Sequence, residues 1–282
     1  MNIGIVGYSG FIGSEVYHNL TTECIDIFNC SKIDYHLFDK SPIIDLKDYD
    51  VVICCAGLAH DIDNYSYNSL PKYLSINYIG LCNLIRSCKN SNVKRFIYIS
   101  SVNVSDNISS SYVKRIDNNS ICKWLVENYL EKELSNSLTD FVVIRSPLVY
   151  GKGVKGSFLS LMNFVSKSFL LPFGSLNQNR RSLVSIYNLI DLIKTCISHP
   201  DAVNDFFFVS DDFDLSTSEI VAMMAKVQGT NYKLLFIPVI VFKLFGKLTN
   251  KSDMISKLTD SLEIDITYTK ESLDWSPPYS VE

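Results

Sequence analysis

A short apolar segment followed by three regularly spaced glycines begins the sequence and restricts its fold more than any other feature. Ile3, Ile5 and Val6 form an apolar run short enough to be a buried strand. Gly7, Gly10 and Gly13 follow at intervals of three, and apolar residues at helical spacing continue to Leu20. This order of strand, glycine turn and helix predicts a βα unit of a parallel sheet.

Such a unit is typical of a dinucleotide site. Gly7 can form the tight turn, Gly10 lets the backbone approach a pyrophosphate, and Gly13 lets the helix lie close to the strand. The helix N-terminus, at Phe11 and Ile12, offers amide groups and a positive dipole end to phosphates. The alternative is a glycine-rich turn without a ligand.

The bulk composition excludes several classes of protein. The 282 residues are 47% apolar and 20% charged, which suits one compact unit or a large lobe with a small one. The net charge of −4 disfavours a nucleic-acid partner. Eight cysteines without a C-x-x-C motif and scattered histidines predict no metal site. With no signal segment and no long apolar run, a cytoplasmic protein without a transmembrane segment is expected.

The G-x-x-G-x-x-G spacing resembles the extended short-chain dehydrogenase/reductase superfamily, in its branch of nucleotide-sugar epimerases, dehydratases and reductases. The resemblance runs from Gly7 to Pro278 and is carried by five segments: GYSGFIG at 7–13, ISSV at 99–102, KWLVE at 123–127, RSPLVYG at 145–151 and RRSLV at 180–184. It implies an α/β fold, a Rossmann-type doubly wound parallel sheet with a small C-terminal substrate lobe.

The resemblance also implies how the chain is divided. An NAD(P)-binding domain is expected at 1–150 and 184–204, and a substrate-binding lobe at 151–183 and 205–282. Patterning predicts the main elements. They are strands at 25–28, 51–56, 96–99, 141–144 and 206–209, helices at 70–90, 158–165 and 188–198, and a helix opened by a Ser216–Glu219 capping box.

The residues after the second predicted strand bear on the cofactor. An acidic residue usually ends this strand and binds the adenosine ribose. After 25–28 the chain has Asn29, Ser31 and Lys32, a hydroxyl and a cation without an acid. These residues are therefore predicted to bind the ribose, and NADP, with its 2′-phosphate, is as compatible as NAD. The segment to Asp45 has no helical period, so the second crossover is expected to be short.

The resemblance assigns further cofactor contacts to two turns. Ala56, Gly57 and Leu58 follow the central strand and would face the pyrophosphate side of the cofactor. Pro147 and Leu148 would lie beside the nicotinamide. Asn77 begins a segment, NYIG, that resembles the N-x-x-G of the family's following helix.

The family's catalytic signature is Y-x-x-x-K, and here the tyrosine is missing. Lys123 occupies the lysine position, which binds the nicotinamide ribose and carries positive charge, and Ser101 occupies the position of the catalytic hydroxyl. Asn119 stands in the tyrosine position, where an amide can hydrogen-bond but cannot exchange protons at neutral pH. Three alternatives follow: Tyr112 substitutes, a substrate hydroxyl or water carries the proton, or the protein binds its ligands with little chemistry.

Substrate contacts are expected in the second half of the chain. Ser157 stands where relatives often have an asparagine that meets the nucleotide diphosphate, and Arg181 matches a diphosphate-binding arginine. Ser101 would also touch the substrate. Lys152 and Lys155 make the preceding glycine-rich stretch basic, which suits a diphosphate.

The most apolar stretch of the chain, 234–248, has two interpretations. It can be a packed helix of the small lobe, or an interfacial helix at a membrane surface with Lys243 and Lys247 on one face. A homodimer is compatible with the resemblance.

The function expected from the resemblance is nicotinamide-dependent chemistry at C4 of a hexose or 6-deoxyhexose nucleotide, in the synthesis of bacterial surface polysaccharides. A 4-epimerase would keep its cofactor, while a 4-ketoreductase would consume NAD(P)H. The alternative is a catalytically weakened or non-catalytic binder of sugar nucleotides, which Asn119 and Ser157 suggest.

Overall fold

The computed structural model describes residues 1–22, 28–35, 37, 42–58, 67–104, 117–249 and 251–281. In these ranges the strands are β1 (Asn2–Val6), β2 (Asn29–Ile33), β3 (Val51–Cys54), β4 (Arg95–Ser101), β5 (Asp140–Ser146), β6 (Leu148–Tyr150), β7 (Leu170–Leu171), β8 (Arg181–Ser185), β9 (Asp205–Phe208), β10 (Asp214–Leu215) and β11 (Lys233–Leu234). The helices are α1 (Phe11–Thr22), α2 (Leu70–Tyr73), α3 (Leu81–Asn90), α4 (Asn118–Leu134), α5 (Gly156–Lys167), α6 (Ile186–Ser198), α7 (Thr217–Val227), α8 (Val239–Leu248), α9 (Ser252–Thr259) and α10 (Thr267–Leu273).

One parallel sheet of six strands, in the order β2-β1-β3-β4-β5-β9, forms the centre of the protein. Every residue of β3 is buried, as expected for a strand covered by helices on both faces. Between β2 and β3 the described residues 42–50 contain neither helix nor strand, which agrees with the short second crossover expected from the sequence. The predicted doubly wound α/β fold is confirmed.

The junction of β1 and α1 explains the spacing of the first glycines. Gly7 has a φ of +83°, and a Cβ there would lie 2.6 Å from the backbone nitrogen of Ala56. A Cβ on Gly13 would lie 2.2 Å from the carbonyl oxygen of Gly7. Both positions therefore require glycine, because a side chain would push the helix or the neighbouring turn away.

The predicted helix at 70–90 is present but contains a π-helical turn. α2 leads into the π-helical residues Leu74–Gly80, which continue into α3. Such a turn inserts an extra residue into the helix and is frequent at functional sites. It contains the buried side chain of Asn77, which contacts Asn119 on α4.

The second strand is a correction to the sequence prediction. β2 spans Asn29–Ile33 instead of 25–28, and 25–27 lie outside the described residues. β2 pairs with β1 from Asn2 opposite Asn29 to Val6 opposite Ile33. The apolar pattern does not predict this strand because its residues are mostly polar: β2 lies at the sheet edge, where burial is incomplete.

The domain boundaries in the structure also differ from the predicted ones. β9 pairs with β5 in the large sheet, and Ile266, Leu273 and Trp275 belong to the core beneath that sheet. Residues 205–208 and 266–275 therefore belong to the large domain and not to the substrate lobe. No local sequence pattern indicates that the chain returns to the large sheet here, because β5, the strand that pairs with β9, lies some sixty positions earlier in the chain.

The small lobe has its own core. It contains a three-stranded sheet, β10-β8-β6, and the pair β11-β7. α5, α7 and α8 pack over these strands, with Val165, Phe173 and Val221 buried among them. The capping box of Ser216 and Glu219 that the sequence predicts is present at the start of α7.

A buried ion pair joins α4 to the sheet behind its C-terminal edge. The carboxylate of Glu127 accepts hydrogen bonds from the Ser100 hydroxyl at 2.5 Å and from the Arg145 guanidinium at 2.7 Å. The guanidinium lies 4.7 Å from the ring centroid of Phe206. Removing one partner of such a pair leaves an uncompensated buried charge.

Arg145→Met should therefore destabilise the protein by about 3–5 kcal/mol, measured by urea unfolding. The double variant with Glu127→Gln should recover part of this loss, because the buried charge is gone. Lys94→Met, at the exposed ion pair with Asp50, is the control and should cost about 0–1 kcal/mol. Equal losses for Arg145→Met and Lys94→Met would contradict this role.

Candidate active site

A cleft of about 270 Å³ lies at the C-terminal edge of the large sheet, between the two lobes. Parallel α/β sheets bind ligands at this edge. The structure brings ten of the predicted site residues to this cleft: Phe11, Ile12, Ala56, Gly57, Ser101, Asn119, Lys123, Pro147, Leu148 and Ser157. Its wall also includes residues that the sequence did not single out for the site: Cys55, Ile99, Ser100, Ser146, Val149, Val154 and Phe158.

The start of α1 forms the anion-binding end of the cleft. Ser14 makes the first intrahelical hydrogen bond, from its amide to the carbonyl of Gly10 at 2.9 Å. The amides of Phe11 and Ile12 precede it and have no acceptor within the helix. A Cβ on Gly10 would meet only the Gly7 carbonyl, at 3.3 Å. The space beside Gly10 is thus open to a ligand, and the geometry fits a pyrophosphate.

The register of β2 changes the predicted ribose contacts. Asn29 lies at the far end of β1 from the glycine turn and donates a hydrogen bond to Asn2, and the Ser31 hydroxyl donates to Tyr49. The Lys32 ammonium lies 4.7 Å from the ring centroid of Tyr17. The structure thus places Asn29 away from the glycine turn, which corrects the prediction for this residue. Lys32 lies beside that turn, 5.0 Å from the ring centroid of Tyr8, and the ribose contacts of Ser31 and Lys32 stay predictions.

An acidic residue does follow β2. Asp34 comes directly after Ile33 and accepts a hydrogen bond from the Tyr8 hydroxyl in the glycine turn. This hydrogen bond and the charge of Asp34 raise the pKa of Tyr8. The sequence pattern does not single out Asp34, because it predicts the second strand too early in the chain. The signal that identifies Asp34 is an acid that follows the edge strand at the level of the glycine turn.

Asn119 is held by a second asparagine. Its Oδ1 accepts a hydrogen bond from Asn77 Nδ2 at 3.1 Å. Asn77 also accepts from the amide of Leu58 at 2.7 Å and donates to the Leu58 carbonyl at 2.9 Å. The π-helical turn therefore ties the tyrosine position of α4 to the turn after β3. Leu58 contacts Asn77 and does not line the cleft.

Lys123 lies four residues after Asn119 and faces the same cleft. Its Nζ donates to the Ile99 carbonyl at 2.7 Å and lies 5.1 Å from the ring centroid of Tyr98. Burial lowers the pKa of Lys123 to about 8, so the ammonium is mostly charged at neutral pH. Ser101 stands on the adjacent strand end, and its hydroxyl accepts a hydrogen bond from the Asn103 amide at 3.2 Å.

The predicted substrate residues divide between the cleft and the small lobe. Ser157 lies in the first turn of α5 and lines the cleft together with Lys155. The Arg181 guanidinium instead donates to the Asp260 carbonyl at 2.9 Å and does not line this cleft. Tyr112, proposed as a replacement proton carrier, lies outside the described residues.

No helix in the described part of the chain is long and apolar enough to cross a membrane.

Comparisons with known proteins agree with this arrangement. The model of the NAD dependent epimerase/dehydratase family matches residues 3–207. A UDP-glucose 4-epimerase of Vibrio cholerae is 39% identical over 302 aligned positions, covering 100% of this chain and 92% of that protein.

Solved structures show the same fold at low sequence identity. UDP-glucuronic acid 4-epimerase from Bacillus cereus, in complex with NAD, superimposes with a TM-score of 0.74 at 18% identity, over 99% of this chain and 94% of the other. RMD from Pseudomonas aeruginosa, complexed with NADPH, superimposes with a TM-score of 0.77 at 15% identity, over 99% of this chain and 95% of the other. The family match, the 39% identical relative and the shared fold lead to one conclusion: the chain belongs to the NAD dependent epimerase/dehydratase family.

Proposed function

We propose that the protein is an NAD-dependent nucleotide-sugar epimerase that inverts C4 of a UDP-linked hexose. The observation that carries this proposal is the single cleft that joins the α1 N-terminus to Ser101, Asn119 and Lys123. The 39% identical relative, named as a UDP-glucose 4-epimerase, supports the substrate class. The context we infer is the synthesis of bacterial surface polysaccharides in the cytoplasm.

Asp34 supports NAD in preference to NADP. A carboxylate after the second strand can accept hydrogen bonds from both ribose hydroxyls, and it repels a 2′-phosphate. Phe11 and Ile12 would donate their amides to the pyrophosphate, and Ala56, Gly57, Pro147 and Leu148 would enclose the rest of the cofactor. The chemistry that NAD supplies when bound is reversible uptake of a hydride from the sugar carbon.

The side chains of the cleft have separable roles in this proposal. The Ser101 hydroxyl hydrogen-bonds the reacting sugar hydroxyl. The Lys123 ammonium binds the nicotinamide ribose and favours negative charge developing on that oxygen. Asn119 orients the same oxygen through its amide but transfers no proton. The proton therefore passes to Tyr112, to water or to a substrate hydroxyl.

The substrate diphosphate would bind at the small lobe. Lys155 and Ser157 stand at the start of α5, where a helix N-terminus adds positive potential. Arg181 donates to the Asp260 carbonyl and does not line the cleft, so its side chain would have to move to join them. We infer that substrate binding exchanges this hydrogen bond for a charge-assisted one.

Turnover of UDP-glucose and UDP-galactose without added NADPH tests the proposal, with products identified by NMR. We expect UDP-glucose and UDP-galactose to interconvert without net consumption of the cofactor. Consumption of NADPH with a 4-keto sugar nucleotide would instead identify a reductase. Asn119 favours one further candidate, a non-catalytic binder, which binding of NAD and UDP-hexose without turnover would identify.

Gly10→Val should abolish measurable NAD binding while the fold is kept, because the side chain enters the space that the pyrophosphate needs. Calorimetry measures the affinity, and thermal unfolding checks the fold. Lys226→Val is the control, since this side chain is exposed on α7 and does not line the cleft. An unchanged NAD affinity for Gly10→Val would contradict the assignment of the glycine turn.

Asp34→Ser should lower the affinity for NAD and raise that for NADP, because it removes both the ribose acceptor and the charge that repels a 2′-phosphate. The ratio of the two dissociation constants measures this effect. Tyr8→Phe keeps the carboxylate and should keep the preference for NAD. A ratio that Asp34→Ser leaves unchanged would remove Asp34 from the cofactor site.

Asn119→Tyr should raise the turnover rate by about 10²–10⁴ fold, the usual contribution of general acid–base catalysis. The new phenol would stand one helical turn from the Lys123 ammonium. Asn119→Phe, of similar size but without a hydroxyl, is the control and should give no gain. If Tyr112 already carries the proton, Tyr112→Phe abolishes turnover and Asn119→Tyr adds little.

A further inference from the structure

α8 exposes an apolar stripe that faces away from the body of the protein. The stripe consists of Ile240, Val241, Leu244, Phe245 and Leu248. Leu248 is 85% exposed and Ile240 is 62% exposed. At 100° per residue these five side chains cover an arc of about 140° on the helix. Surface helices normally turn an apolar arc of this width inward.

The opposite side of α8 is already fixed to the small lobe. Phe242 stacks on Phe173 with ring centroids 6.3 Å apart. Gly246 is buried where α8 meets α9, and a Cβ there would lie 2.8 Å from Ile255. Because this side is packed, the apolar stripe cannot turn inward without breaking these contacts. The packed-helix interpretation therefore accounts for one side of α8 only.

Positive charge accompanies the apolar stripe. Residues 233–257 contain five lysines and one aspartate, a net charge of +4 in a chain whose total is −4. All five lysines are exposed: Lys233, Lys243, Lys247, Lys251 and Lys257. The remainder of the chain thus carries −8. The segment that contains α8 is therefore net positive, whereas the rest of the protein is net negative.

Further exposed apolar side chains lie on the elements next to α8. Phe236, which precedes α8, is 75% exposed, and Met254 on α9 is also exposed. Phe164 on α5 contacts the same Phe173 ring as α8 does, and it too is exposed. An apolar area flanked by lysines favours partition into the boundary between lipid headgroups and acyl chains.

We propose that α8 and the lysines of 233–257 form a docking surface for an anionic lipid membrane. Lysines near such a surface are attracted to acidic headgroups, while the apolar stripe enters the acyl boundary. A ten-residue helix of about 15 Å spans only half of the hydrocarbon core, so α8 lies on the membrane and does not cross it.

A second copy of the chain fits this surface less well. A face-to-face contact would bring two segments of +4 together, and like charges oppose association. An anionic bilayer instead neutralises the lysines. The docking surface lies on the small lobe, and the proposal is independent of the reaction catalysed in the cleft.

Co-sedimentation of the full chain with lipid vesicles tests this inference. Binding is expected to vesicles of phosphatidylcholine with about one third phosphatidylglycerol, to weaken with added salt, and to be at least about tenfold weaker with phosphatidylcholine alone. Leu244→Glu should reduce partition into the anionic vesicles by at least about tenfold. Lys243→Glu with Lys247→Glu should reduce it as well.

Leu138→Glu is the matched control, because Leu138 is 83% exposed in the turn after α4, outside the docking surface. It should leave vesicle binding unchanged. NAD affinity and thermal unfolding of each variant check that the fold is kept. Equal losses for Leu244→Glu and Leu138→Glu would overturn the proposal. The proposal would also be overturned if the wild-type chain does not bind anionic vesicles but forms a dimer that Leu244→Glu dissociates.

Discussion

The close approach of α1 to the end of β1 is the constraint on which the cleft depends. The Gly7 carbonyl accepts the Gly10 amide at 3.0 Å and leaves no room for a Cβ on Gly13. Gly7 in turn touches the turn after β3 through Ala56. The helix N-terminus is therefore fixed at the sheet edge, and its first amides point at the position where a phosphate can bind.

A chain of polar contacts connects the π-helical turn with the side of the cleft that Asn119 and Lys123 line. Asn77 binds both backbone groups of Leu58 and the side chain of Asn119. One buried amide thus orients the turn that follows β3 and the first turn of α4. Behind them, Glu127 and Arg145 hold α4 against β4 and β5. The positions of Lys123 and Asn119 follow from these two attachments.

The sequence predicted the parts of the protein that local pattern controls. The glycine turn, the central strand and the capping box at Ser216 each depend on neighbouring residues, and the structure contains them. The sequence did not predict strand pairing between segments that are distant in the chain. The sequence pattern predicts the second strand too early because the side chains of β2 are mostly polar, and it therefore does not single out Asp34. It assigns β9 to the wrong lobe because β5, the strand that β9 pairs with, is remote in sequence. The hydrogen bond between Asn77 and Asn119 likewise depends on tertiary contact.

The π-helical turn also separates two parts of one long helix mechanically. α3, after the turn, is anchored in the core by Leu81, Leu84 and Ile85. Asn77 lies before that anchor, in a π-helical turn that holds more residues per turn than an α-helix. A single deletion here would rotate Asn77 by about 100° while α3 stays in place. A change of one residue in chain length would thus move the Asn77 amide away from Asn119 while the core contacts of α3 are kept.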